Sequence, residues 1–212
     1  MTTILIAETD PGIIGVLPRL VSDNIPNVEV DICISTDDLA RNRRIGTYDT
    51  VAISPILFQR YRLLKYPAAR HLVAPILVTA SRDDCELASQ CLVKETFDLI
   101  VKPIDPEQAV QTVRLALWQN KLLKLLAAKE QATSRFQEHM KVFPHARQME
   151  VEFAAKMAAY ENTLRAITTS LQHFLNSEEE RSLFDLAGLV ESAAKKQAFD
   201  RFLTLCPEGT IH

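Results

Sequence analysis

The apolar run Thr50-Val51-Ala52-Ile53 stops at Ser54 and Pro55. In a parallel α/β sheet, chemistry gathers just past the carboxyl end of such a strand, so Ser54 is the first residue to question. A serine hydroxyl becomes a nucleophile only beside a base, and the local sequence supplies none. No Ser-His-Asp or Cys-His set is suggested. The histidines His71, His139, His145, His173 and His212 are scattered, with no HxxxH or HExxH spacing, so no metal site is expected from them. Cys33, Cys85, Cys91 and Cys206 have no metal-ligand spacing and read as reduced thiols of a cytoplasmic protein. Neither GxGxxG nor GxxxxGK[ST] occurs, so nothing calls for a nucleotide or other cofactor.

One segment could bind a polymer. Phe58 to His71, FQRYRLLKYPAARH, interleaves Arg60, Arg62, Lys65 and Arg70 with Phe58, Tyr61 and Tyr66. Basic and aromatic residues in alternation suit single-stranded nucleic acid. The same run also suits the solvated face of a surface helix, which is the reading preferred here.

The elements that must position these residues alternate through the first half of the chain. Ile4 to Ala7 is a strand buried on both faces, closed by Glu8-Thr9-Asp10-Pro11. A helix over residues 12–24 follows, which Pro18 is expected to kink or shorten. Val28 to Ile34 alternates as a strand with one wetter face. Ser35 opens a short helix through Arg44. Val51 to Ile53, Ile76 to Val78 and Leu99 to Val101 are further strands, with a helix over Cys85 to Glu95 and another opened by Asp105-Pro106. Five strands alternating with five helices predict a doubly wound parallel sheet.

The second half carries no strand signal. A helical stripe runs from Pro106 to Phe143 through Leu115, Trp118, Leu122, Leu125, Ala132 and Phe136, and Pro144 marks a kink or turn. Phe153, Met157, Tyr160, Leu164, Ile167, Leu171 and Phe174 then form a heptad seam. That seam can face its own neighbouring helix in a hairpin or a second chain in a rod, and a homodimer is the expectation. A capping box at Ser177 to Glu180 starts a further helix. The domains so read are residues 1–118, an all-α coiled-coil-like module over 119–206, and a loose tail over 207–212.

The strand ends, taken together, resemble the receiver domain of bacterial two-component response regulators over about 118 residues. ILIAETDP, YDTVAIS, PILVTAS and FDLIVKP stand in that family's order. The resemblance implies a flavodoxin-like fold and assigns each strand end a role. Ser54 stands where the family has its phospho-accepting aspartate. Glu8 matches the first acidic position, Thr9 replaces the second, and Asp10 lies one residue beyond it. Thr79 keeps the switch hydroxyl, Leu99 replaces the usual aromatic switch, and Lys102 keeps the lysine. With two of three central carboxylates missing, neither an acyl phosphate nor tightly held Mg²⁺ is expected. Lys102 is expected to pair with Glu8 and close the pocket. The resemblance also implies a docking face over about residues 85–118.

The function expected is therefore that of a non-enzymatic pseudo-receiver, signalling or scaffolding through a protein partner without phosphorylation. The rival is an antiterminator of the ANTAR type that binds RNA. Against it, the net charge is −3 and no segment has the basic excess of a nucleic-acid-binding domain. DNA is not expected as a partner, since no helix-turn-helix with a basic recognition helix is visible. Neither is a membrane: no run approaches the roughly 20 apolar residues needed to span one, and the N-terminus does not read as a signal peptide.

Overall fold

The computed structural model describes residues 1–64, 74–92, 96–142, 147–175 and 183–205. Five parallel strands form one sheet: β1 (Thr2–Ala7), β2 (Val28–Cys33), β3 (Thr50–Ile53), β4 (Ile76–Ala80) and β5 (Thr96–Val101), in the order β2-β1-β3-β4-β5. That order is the doubly wound, flavodoxin-like one. Helices α1 (Pro11–Asn24), α2 (Thr36–Arg41), α3 (Pro55–Leu64), α4 (Cys85–Leu92) and α5 (Pro106–Val142) alternate with the strands. Two more helices follow, α6 (Arg147–Leu175) and α7 (Leu183–Leu205). Among the described residues no helix is long and apolar enough to cross a membrane.

The pattern of side chains explains the layers. Ile4, Leu5 and Ile6 of β1, Val51, Ala52 and Ile53 of β3, and the whole of β4 are buried, as befits central strands covered on both faces. β2 lies at an edge and is half-exposed along most of its length. Its acids hold Arg44, which reaches Glu29 Oε1 at 2.6 Å and Asp31 Oδ2 at 3.0 Å. Tyr48 donates to the same Asp31 at 2.7 Å; burial is the main cause that pushes its phenol up to about 12, and the bond to Asp31 adds to it.

Pro18 does not shorten α1: the helix continues through it to Asn24. An internal proline costs about 3 kcal/mol. Ile13, Leu17 and Val21 lie on one buried stripe that spans the proline, and full burial of such side chains contributes about 1.5–3 kcal/mol each. The apolar face therefore outweighs the breaker.

The chain divides into two compact units, Met1–Asn120 with Glu191–His212, and Lys121–Val190. The last part of α7 groups with the sheet, where Ala198, Phe202 and Leu205 join the buried cluster. In the second unit, α6 runs antiparallel to the end of α5. Phe136 stacks on Phe153 with centroids 4.2 Å apart, and Tyr160 Oη donates to the Ala128 carbonyl at 3.4 Å. Position numbers rise along one helix as they fall along the other, which is the signature of a hairpin. Phe153, Met157 and Tyr160 are half-buried and Ile167 is buried at 3% exposure. The seam therefore faces α5 of the same chain. The side chains of Leu164, Leu171 and Phe174 lie outside the described residues, as does Pro144. A groove of about 360 Å³ beside the stacked rings is lined by Gln131, Arg135, Glu152 and Lys156.

Cys33 and Cys91 are buried thiols. Cys85 is disulfide-bonded, which corrects the expectation of a reduced thiol at that position.

Candidate functional site

Sheet register brings the strand ends together. Ala7 pairs with Ile53, so Glu8 and Ser54 are the next residues out of β1 and β3. Ile53 pairs with Val78, which sets Thr79 of β4 beside Ser54 in sequence register. Ala80 pairs with Val101, which brings Lys102 to the same edge. The order of the sheet reverses direction between β1 and β3, the place where doubly wound folds bind ligands.

Glu8 sits at the centre with 1% exposure. Its Oε1 accepts from the backbone N–H groups of Thr9 at 2.8 Å and Asp10 at 3.1 Å. Its Oε2 accepts from Thr79 Oγ1 at 2.5 Å and lies 3.0 Å from Lys102 Nζ. A carboxylate offers about four lone-pair positions, and all four are taken from within the protein. Lys102 is 11% exposed in its side chain and lies 3.8 Å from Asp10 Oδ2 as well. Asp10 is committed to α1, whose Gly12 N–H it caps at 2.8 Å. The Lys102–Pro103 peptide is cis.

Ser54 is 4% exposed, and its Oγ makes no hydrogen bond among the described residues. Its backbone holds the strand end, with the N–H donating to Ala7 O at 2.9 Å and the carbonyl accepting from Phe58 N at 2.9 Å. Thr79 and Leu99 are fully buried. A divalent cation of the receiver type does not fit these residues. Thr9 brings no carboxylate, and the lone pairs of Glu8 are spent on Thr79, Lys102 and two amides. Among the described residues no group of three His, Cys, Asp or Glu could hold a metal ion. Burying Glu8 beside Lys102 satisfies a charge pair that would otherwise be costly.

A second buried ion pair was not foreseen in the sequence. Asp98 of β5 is completely buried, and Arg201 of α7 reaches its Oδ1 at 2.9 Å. Arg201 Nη1 also lies 2.8 Å from the Leu99 carbonyl and 2.9 Å from Thr112 Oγ1 on α5. β5 is the outer strand of the sheet, so one side of its backbone has no neighbouring strand. The Leu99 N–H turns to Asp98 Oδ1 at 2.7 Å and its carbonyl turns to Arg201. The pair thus closes part of a strand edge, a feature proteins must cover. Ala198, Phe202 and Leu205 of α7 join the same buried cluster as Ala88, Cys91 and Leu99. Residues 191–205 therefore lie on part of the face expected to dock partners. The signal for this pairing was the lone acid in the apolar run FDLIV, which demands a cation from elsewhere in the chain.

Burial pushes the Asp98 carboxyl up to about 6, and the charge of Arg201 opposes that rise. The folded chain therefore holds this proton more tightly than the unfolded chain, whose aspartate titrates near 3.8. Between roughly pH 4 and 6 the folded state binds more protons at this site, so its contribution to stability falls as pH rises through that window. Carbon-13 titration of the Asp98 carboxyl is expected to show a midpoint near 6. A midpoint at the ordinary aspartate value would contradict the burial described.

No protein-family model matches the sequence, and no curated protein matches it. Solved structures do. A response regulator receiver protein from Pseudoalteromonas atlantica matches at 20% identity and TM-score 0.44, over 54% of this chain and 96% of its own. An adenylate cyclase from Rhodopirellula baltica matches at 17% identity and TM-score 0.47, over 63% and 98%. The RcsB response regulator of Salmonella typhimurium matches at 16% identity and TM-score 0.42, over 89% and 98%.

Proposed function

We propose that this chain is a phosphorylation-independent signalling or scaffold protein of the response-regulator type, non-enzymatic and acting in the cytoplasm through a protein partner. What supports the reading is Glu8. The acid that would help to hold a metal in a phospho-accepting pocket is saturated by Thr79, Lys102 and two backbone amides. At the acceptor position stands Ser54, a hydroxyl with no base in hydrogen-bonding reach among the described residues. The pocket is a structural cluster, and signalling is left to the surface. The homodimer expected from the α6 seam loses its motive, because the described part of that seam faces α5 of the same chain. The RNA-binding reading is weakened on one point. Phe58, which would have to stack on a base, is 1% exposed and belongs to the core. Arg60 is exposed, whereas Tyr61, Arg62, Lys65, Tyr66 and Arg70 have side chains outside the described residues.

Titration of the full chain with Mg²⁺, followed through the amide resonances of residues 8–10, 54, 79 and 102, tests the proposal. No saturable shift is expected at millimolar Mg²⁺. Saturable shifts centred on Glu8 and Asp10 would restore a metal-dependent pocket and sink the reading. RNA retention that falls steeply with salt, by about 0.7 log units per phosphate contact and log unit of salt, would promote the rival.

A further inference from the structure

Residues 191–205 of α7 reach the first unit only after Lys121–Val190, a compact unit of its own, has intervened. Where they arrive, a helix fills a groove. Ala198, Phe202 and Leu205 are buried with Ala88, Cys91 and Leu99, and their spacing of four and three marks one side of the helix. Arg201 Nη1 enters the floor of the groove and donates to Asp98 Oδ1, the Leu99 carbonyl and Thr112 Oγ1. Without that helix Asp98 loses its cation and the outer edge of β5 stays uncovered. No bond in this contact depends on which chain supplies the helix. The opposite side of the same stretch is also apolar. Phe199 and Leu203, one turn apart, are 48% and 43% exposed. A helix with apolar residues on both sides suits a place between two protein surfaces, and the groove supplies only one.

We propose that two copies of this chain exchange residues 191–205, so that Arg201 of each copy pairs with Asp98 of the other. The contacts that close the groove within one chain are then remade between two, and no new chemistry is needed at the groove. Exchange of an identical element is a low-cost route to a dimer. Phe199 and Leu203 form the surface on which the copies first meet. The exchanged dimer makes no use of the α6 seam, whose Phe153 stays stacked on Phe136 of its own chain. Because the closed and exchanged forms hold the same groove contacts, protein concentration sets the balance between them. The dimer is thus a response to the amount of protein present.

The test uses two full-length variants with dithiothreitol present, so that no disulfide joins chains. Asp98→Asn is labelled with nitrogen-15 and Arg201→Met is unlabelled. Each variant alone lacks one half of the ion pair. In a mixed exchanged dimer, Asp98 of the second variant meets Arg201 of the first, and the other groove holds a neutral pair. Native mass spectrometry of the mixture at high micromolar concentration is expected to show dimers containing one chain of each label. Hydrogen exchange of the Leu99 amide in the Arg201→Met chain is expected to slow at least about tenfold on mixing, as a buried charge regains its partner. If either variant alone does not fold, refolding the two together is expected to give folded mixed dimers that separate refolding does not. The unaltered chain, half of it labelled, is expected to form mixed-label dimers whose share rises with concentration. An unaltered chain that stays monomeric overturns the proposal. So does mixing or joint refolding of the variants that leaves each as it was alone. Dimers that form without slowing the Leu99 amide also overturn it, since the copies then meet side by side and exchange nothing.

Discussion

Arg201→Ala is expected to destabilise the first unit by about 3–5 kcal/mol, the range for removing one member of a buried ion pair. The reason is what remains. Asp98 is completely buried and has no other cation within salt-bridge distance among the described residues. Leu99 O and Thr112 Oγ1 lose a donor in the same change. Urea unfolding of the full chain measures the loss. Asp98→Asn combined with Arg201→Met is expected to recover much of it, because no buried charge is then left alone. A cost below about 1 kcal/mol, the level of an exposed pair, would mean that α7 does not close the edge of β5 in solution.

Lys102→Met is expected to cost about 3 kcal/mol by the same logic at the other pair. Glu8 is nearly inaccessible and would keep only Thr79 and two amides as partners. Those three donors soften the loss and place it at the lower end of the range. Glu8→Gln with Lys102→Met removes both charges and is expected to unfold later than Lys102→Met alone. A neutral Lys102→Met would show that the lysine is idle at the site, free to meet an incoming anion, and that the pocket is not structurally closed.

The sheet was legible because its central strands announce themselves. Runs such as Ile4 to Ala7 and Val51 to Ile53 are continuously apolar and end abruptly at polar residues, so their number, order and carboxyl ends can be read off. β4 and β5 extend a little beyond their expected bounds, to Ala80 and back to Thr96. Thr79 and Thr96 blurred those limits, since threonine serves strands and loops equally well. The pairing of Glu8 with Lys102 was also readable once Ser54 left that lysine without its usual partner. What was not readable was long-range. The heptad spacing of Phe153, Met157 and Tyr160 states that a seam exists, but not what faces it; the Phe136–Phe153 stack decides that. Nothing local in residues 191–205 says that they return to β5. Asp98 was the available clue, and it points to a missing cation without saying that Arg201 supplies it. Pro18 misled for a related reason: a local breaker is judged against a buried stripe that only the fold creates.

If, as proposed, the pocket takes up no phosphoryl group, the intact mass of the protein reports it directly. Incubation of the full chain with acetyl phosphate and Mg²⁺ is expected to leave its mass unchanged. Ser54→Asp alone is expected to remain a poor acceptor, because Thr9 still denies the metal a ligand and Glu8 remains tied to Lys102. A mass gain of one phosphoryl group on residues 1–118 of the unaltered protein would contradict the account.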